Sequence, residues 1–389
     1  MQNMWLDSRS DMKKSISQEV NRLFAVYRSY TGREPMAGGA QNLIMKRDWI
    51  GNLIPKYQSH LFAFNGGNDF ESLPVIVKLY IFSYLSPKDL CRACQVNRSW
   101  HQLTCDELLW SRVLQTASCN WKRIFDDRNP DFYRRACSHM TSKAIYLQCH
   151  PMNPDTGFRM PNLLHYFVSV RPFLVMFGPG LETKTSKIVR SILTDQHLKD
   201  LNGHSRFHVT GMVPGAFAGV GSGISLKLAE HNFNLVTLYS NVKAVRQRLS
   251  VENRIQQNKL FTHENRSDGT VFMYEVTPSV RELCRKSHGF VFVVDASCDQ
   301  EEVSTCQSEL FAMLCEMWSS THAPLLVLAC SRADTTDSQL TAIDVVRALR
   351  LGRLKRKWLV QSGDARTLSG VRDGFQWLLS EISSVHLFR

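Results

Sequence analysis

Long hydrophobic runs are missing from this sequence. Its longest apolar stretches, Gly289–Val294 and Ala323–Cys330, fall well short of the roughly 18 residues that a membrane-spanning helix needs. Met1–Ser10 holds no apolar signal core. Cysteine is present, but its eleven copies are odd in number and scattered, which argues against a secreted disulfide framework. These absences predict no membrane partner and a reducing compartment, the cytoplasm with the nucleus second. Charge is also not concentrated. Lys and Arg number 47 against 35 Asp and Glu, a net +12, spread at +2 to +5 over successive segments. A nucleic-acid surface favours a dense one-faced patch, so no nucleic-acid partner is expected. A hydrophobic content of 43% excludes a mostly disordered chain. There is no internal repeat.

Catalytic and metal-binding sets are equally scarce. His139, His150, His288 and His322 have no convincing nucleophile or carboxylate partners in sequence. Cys91-x-x-Cys94 lacks the second pair that a zinc or redox site needs. Cys137, His139, Cys149 and His150 fit no common metal spacing. The expectation is therefore a non-enzyme with no metal and no cofactor.

What is present falls into segments. Residues 1–72 read as a helical lead-in and linker. Ile16, Val20, Leu23, Phe24 and Tyr27 give a helical spacing over 12–30, suited equally to homodimerisation or to internal packing. Asn65–Asn68 reads as a loop. Residues 73–114 are compactly helical, and 115–165 form a helical linker. From 166 to 389 apolar runs alternate with amphipathic segments, predicting an α/β domain with a mostly parallel sheet. The strands are expected at Phe173–Phe177, Leu235–Tyr239, Phe290–Asp295, Pro324–Cys330 and Trp358–Val360. Helices are expected near 184–195, 300–318, 338–351 and 367–382.

Within 73–114, Leu73-Pro74 opens the run Val75–Leu85, apolar on nearly every side. Such a helix in a small module needs a second apolar surface to cover it. Ser86-Pro87-Lys88-Asp89 supplies a cap, a first-turn proline and an acid at the capping-box position. Val96–Trp100 and Leu109-Trp110 complete the unit. The run Leu73-Pro74, Tyr84–Leu90, Val96–Trp100 and Leu109-Trp110 resembles an F-box over about forty residues. The resemblance implies docking on the adaptor Skp1 and, through it, on a cullin and a RING subunit. Leu73, Pro74, Ile76, Leu79, Phe82, Leu85, Val96 and Trp100 match the family's adaptor-facing and core positions.

In the α/β half, Gly178-Pro-Gly-Leu-Glu-Thr183-Lys184-Thr185 follows an apolar strand. A phosphate loop reads G-x-x-x-x-G-K-[S/T] at that place. Gly178, Lys184 and Thr185 are in register, but Thr183 replaces the second glycine. The order of the half resembles a small GTPase with a doubly wound, Ras-like sheet. Three of that family's four nucleotide motifs are damaged. Ser331-Arg332-Ala333-Asp334 keeps only Asp334 of the guanine motif, and Ser240-Asn-Val-Lys243 lacks the magnesium carboxylate. A degenerate nucleotide site of Gly178, Lys184, Thr185 and Asp334 remains, with a nucleotide-binding switch as the alternative function.

An F-box followed by such a domain resembles a family of F-box proteins whose atypical GTPase domain recognises the client. The resemblance implies a substrate receptor of a ubiquitin ligase, with a telomeric repeat-binding factor and D-type cyclins as clients. Alternation at Ile224, Leu226 and Leu228 suits either an exposed edge strand that a client extends or an internal hairpin. The basic run Arg347, Arg350, Arg353, Lys355, Arg356 and Lys357 reads as a solvated face or as a surface for an acidic client.

Overall fold

The computed structural model describes Phe70, Leu73 and residues 75–151, 171–183, 185–195, 206–213, 221–241, 258–263, 274–331 and 339–386. The helix expected over 12–30, the loop 65–68, Pro74, Lys184 and Asp334 lie outside these residues. Contacts divide the chain into two units, Met1–Leu109 and Trp110–Arg389.

The described residues of the first unit form helices and turns. Helix α1 (Val75–Phe82) is followed by α2 (Pro87–Ala93) and α3 (Arg98–Thr104). Ser86 caps α2: its hydroxyl accepts from Asp89 N at 3.2 Å and donates to the Asp89 carboxylate at 2.7 Å. Asn97 caps α3 by accepting from Trp100 N at 2.8 Å. Both caps satisfy N–H groups that a helix start leaves unpaired. The unit boundary falls within α4 (Glu107–Cys119).

The second unit is built on a sheet of ten strands' worth of pairing in two pieces. The strands are β1 (Arg123–Phe125), β2 (Phe173–Phe177), β3 (Phe207–Met212), β4 (Gly221–Leu228), β5 (His231–Leu238), β6 (Phe261–His263), β7 (Tyr274–Val276), β8 (Gly289–Asp295), β9 (Leu325–Ser331) and β10 (Trp358–Asp364). Eight form one sheet in the order β1-β10-β9-β8-β2-β5-β4-β3, and β6 pairs with β7. The centre, β10 through β5, is parallel, whereas β1, β4 and their neighbours pair antiparallel. Every residue of β8 is buried, as expected of a strand covered on both faces.

The helices of this unit are α5 (Pro130–Ala136), α6 (Ser142–Cys149), α7 (Ile188–Thr194), α8 (Pro278–Lys286), α9 (Gln300–Thr305), α10 (Gln307–Met313), α11 (Ala342–Ala348) and α12 (Val371–His386). One face of the sheet, with Leu174, Met176, Val291, Val293, Leu326 and Leu328, packs in the same core as Phe375, Leu378, Leu379 and Ile382 of α12. Gly374 permits this approach, since a Cβ there would sit 3.0 Å from the Leu326 side chain.

Three expectations change. The segment 115–165 carries α5 and α6, but it also contributes β1 to the sheet, so it is more than a helical linker. The helix expected over 300–318 is two short helices that meet at Cys306. The basic run at 347–357 is not one solvated face. Arg356 is buried and donates to the carbonyls of Leu314 at 2.7 Å and Ala323 at 3.1 Å and to the Ser319 hydroxyl at 3.0 Å. Burial pulls its pKa below the usual arginine value.

A buried ion pair ties α12 to the end of α7 and the start of β3. Asp195 is fully buried, accepts from Phe207 N at 2.8 Å and meets Arg372 at 2.5 and 3.2 Å. Removing Arg372 strands a buried carboxylate. Arg372→Ala should therefore cost about 3–5 kcal/mol of stability in a denaturant titration. By contrast, Arg123→Ala breaks a half-exposed pair with Asp373 and should cost about 0–1 kcal/mol.

Candidate functional site

The helical unit is organised around an aromatic cluster. Phe82 meets Trp100 edge-on at 5.2 Å, and Phe70 lies 5.6 and 4.9 Å from the two rings. Leu79 and Phe82 are buried. Of the adaptor-facing and core roles expected of the eight positions, these two take the core one in this unit. Leu73, Leu85 and Trp100 are partly buried. Val96, in the turn after α2, is 60% exposed, and Tyr84 is 42% exposed. Tyr84 packs edge-on against Tyr80, with the hydroxyls 2.5 Å apart. Ile76 lies on α1, but its side chain is outside the described set. Phe70 was missed by sequence reading. The available signal was an aromatic placed three residues before Leu73.

In the loop after β2, several described N–H groups are turned onto the loop's own carbonyls. Gly178 takes φ +115° and Pro179–Leu181 form a 3₁₀ turn. A phosphate loop directs its N–H groups at the ligand. Here Leu181 N donates to Gly178 O at 3.2 Å, Glu182 N to Pro179 O at 2.9 Å and Ser186 N to Thr183 O at 3.1 Å. Leu181 points into the core. The fully buried Thr185 donates its hydroxyl to Gly180 O at 2.6 Å. Helix α7 begins only at Ile188.

Carboxyl groups gather beside the loop. Glu182 accepts from Ser240 N at 2.5 Å and from the Ser240 hydroxyl at 2.6 Å, just past the end of β5. Glu309 of α10 lies near it and hydrogen-bonds Asn258. Burial first, and then the Glu182 charge, push the Glu309 carboxyl up to about 8. The chemistry of this set is that of an interlocking joint, and its negative charge opposes a phosphate.

The alternating triplet Ile224, Leu226 and Leu228 belongs to an inner strand, the internal-hairpin alternative of the two expected, so these residues are not an exposed edge for a client. On β4 these residues pair with Leu235, Phe233 and His231 on one side and with Met212, Val209 and Phe207 on the other. Leu226 and Leu228 are buried, and Ile224 packs on the same core. The sheet's edges are β1 and β3. Met212, on β3, is 81% exposed.

Among the described residues, no group of three or more His, Cys, Asp or Glu is arranged to hold a metal ion. The Cys94 thiol donates to Cys91 O at 3.1 Å, and burial pushes the Cys149 thiol up to about 12.

The Glu309 environment sets a pH dependence. An unfolded Glu releases its proton near 4.5, whereas the folded one holds it to about 8. Over that interval the folded state binds the extra proton, so rising pH lowers stability, by about 1.4 kcal/mol per unit for a single group. Glu309→Gln should raise the melting temperature progressively from pH 5.5 to 8, with the gain level above 8. A pH-independent gain would contradict this account.

Comparison with known proteins fits both halves. The F-box-like family matches residues 70–116, and the ADP-ribosylation factor family matches residues 275–382. F-box only protein 4 from Bos taurus is 30% identical over 334 residues, covering 81% of this chain and 84% of that protein. The Homo sapiens protein of the same name is 30% identical over 332 residues, covering 80% and 83%. A shorter match, 51% over 69 residues, is to F-box/LRR-repeat protein 5 from Xenopus laevis, covering 16% of this chain and 10% of that one. The second unit thus has the fold of an ADP-ribosylation-factor-like small GTPase, with the closed loop described above at the place of the phosphate site. A helical F-box followed by this GTPase-like α/β domain, with similarity running through four-fifths of the chain, makes the protein a member of the F-box only protein 4 family.

Proposed function

We propose that the chain is the substrate-receptor subunit of a Skp1–cullin–F-box ubiquitin ligase. The observation that carries this reading is the F-box itself, a capped helical unit that keeps Val96 and Tyr84 exposed around a buried aromatic centre. An apolar group held at the surface of a small helical unit suits a protein partner. Skp1 is that partner in the proposal, and the cullin and RING subunits follow through it. Leu73, Leu85, Val96, Tyr84 and Trp100 are the residues proposed to meet it.

The receptor's contribution is proximity. It raises the effective concentration of a client lysine near a charged conjugating enzyme, so the chain needs no catalytic set of its own. The GTPase-like unit is proposed to bind the client. By family resemblance the clients are a telomeric repeat-binding factor and D-type cyclins, met in the cytoplasm or the nucleus. Strand β3, the last in the order of the described strands, is the proposed place for a client to add a strand.

Two measurements check the proposal. Val96→Asp should weaken co-purification with Skp1 at least tenfold, about 1.4 kcal/mol, while leaving the melting temperature unchanged. Retention of Skp1 would count against the assigned surface. Calorimetry with GTP or GDP and magnesium should give no heat of binding. A clear isotherm would favour a nucleotide-binding switch instead.

A further inference from the structure

We infer that the surface made by α5 and the turn after α11 binds a carboxylate-rich protein segment carrying an apolar side chain. Arg134 and Arg135 of α5 are exposed, as are Arg350, Arg353 and Lys355. The two stretches are far apart in sequence but adjacent in space: a Cβ on Gly352 would lie 3.8 Å from the Arg135 guanidinium and 4.0 Å from the Asn129 amide. The intervening acid is already neutralised. Asp131 meets Arg347 at 2.8 Å and Arg134 at 3.8 Å. Among the described residues, no ion pair engages Arg135, Arg350, Arg353 or Lys355.

A second observation concerns the backbone. Arg350 adopts φ 49°, ψ 43°, a left-handed conformation just beyond α11. Glycine is the residue such a helix end favours, because a Cβ is strained there. The chain holds an exposed cation at a position where glycine is preferred, just as Ala229 and Leu368 take positive φ without glycine, and the turn so formed carries Arg350 and Arg353 at the surface.

The partner's chemistry follows from what surrounds the cations. Phe132 lies three residues before Arg135 on α5 and is 48% exposed, so an aromatic anchor sits beside the guanidinium groups. The patch is short, and the Asp131 carboxylate lies within it. A run of phosphates would leave the exposed Phe132 ring without a counterpart, whereas a few carboxylates around one apolar residue match both the cations and the ring. The source of the segment, a client, rests on the receptor reading above; the binding itself does not.

The test uses the full chain and a fluorescein-labelled peptide of nine glutamates with one central leucine, followed by anisotropy. Arg350→Gly should weaken binding at least threefold while keeping or raising the melting temperature, a combination a purely structural arginine would not give. The double variant R135A/R353A should weaken binding about tenfold and flatten its salt dependence. Phe132→Ser should affect the leucine-containing peptide and leave an all-glutamate peptide unchanged. Parental affinity in both arginine variants would overturn the inference. So would a 20-nucleotide single strand that binds more tightly than the peptide, since that would assign the surface to nucleic acid. Val96→Asp leaves this surface untouched, so failure of the receptor reading and failure of this one are distinguishable.

Discussion

The loop after β2 lies directly on the backbone of β8. A Cβ on Gly178 would sit 2.7 Å from Val293 O, and one on Gly180 would sit 2.8 Å from the Val293 side chain and 2.9 Å from the Val294 carbonyl carbon. With that approach fixed, the chain has little choice. Leu181 drops into the core, the N–H groups of Leu181 and Glu182 turn onto the Gly178 and Pro179 carbonyls, and Thr185 donates to Gly180 O from within. Glu182 is then left facing the end of β5, where Ser240 receives it. A place that could hold a ligand has become a joint between strands. A fold can keep its architecture while the residues of one loop take on packing roles.

Much of this was legible in the sequence for a simple reason. Strands covered on both faces read as unbroken apolar runs, and β2, β8 and β9 announced themselves that way. The F-box was legible because Ser86, Pro87 and Asp89 each do a separate job at one helix start. What was not legible follows from symmetry or brevity. Alternation at Ile224, Leu226 and Leu228 is the same for an inner strand as for an edge strand, and only the pairing on both sides of β4 separates them. Leu79 and Phe82 lie on a helix apolar all round, so spacing cannot say which face turns inward. Strand β1 is three residues long with Arg123 at its head, too short for any period to show. The break at Cys306 has no glycine or proline to mark it.

Counting charges treats each as if it faced water, and Arg356 shows the limit of that habit. Its guanidinium gathers the carbonyls and hydroxyl around the turn that leads into β9, where it replaces the water those groups would otherwise bind. Lys357 beside it is tied to the buried Glu381 at 2.8 Å. Of the six cations in the run, Arg356 is buried, and Arg347 and Lys357 are exposed but paired with acids, so the net charge overstates the free basic surface. Arg350 is the opposite case, an exposed cation held in place by a conformation the backbone resists.

The pairing of β3 with β4 slips by one residue between Val209 and Gly211. A strand at the rim of a sheet is a template for any passing strand, its own copies included, and a bulge is one of the ways proteins blunt that hazard. The irregularity at Thr210 bends the rim of this sheet partway along. A second copy of the same edge would bring its own irregularity to the same place and could not continue the ladder evenly past it. A single residue, Thr210, thus sets how far any added strand could follow this ladder before losing its register.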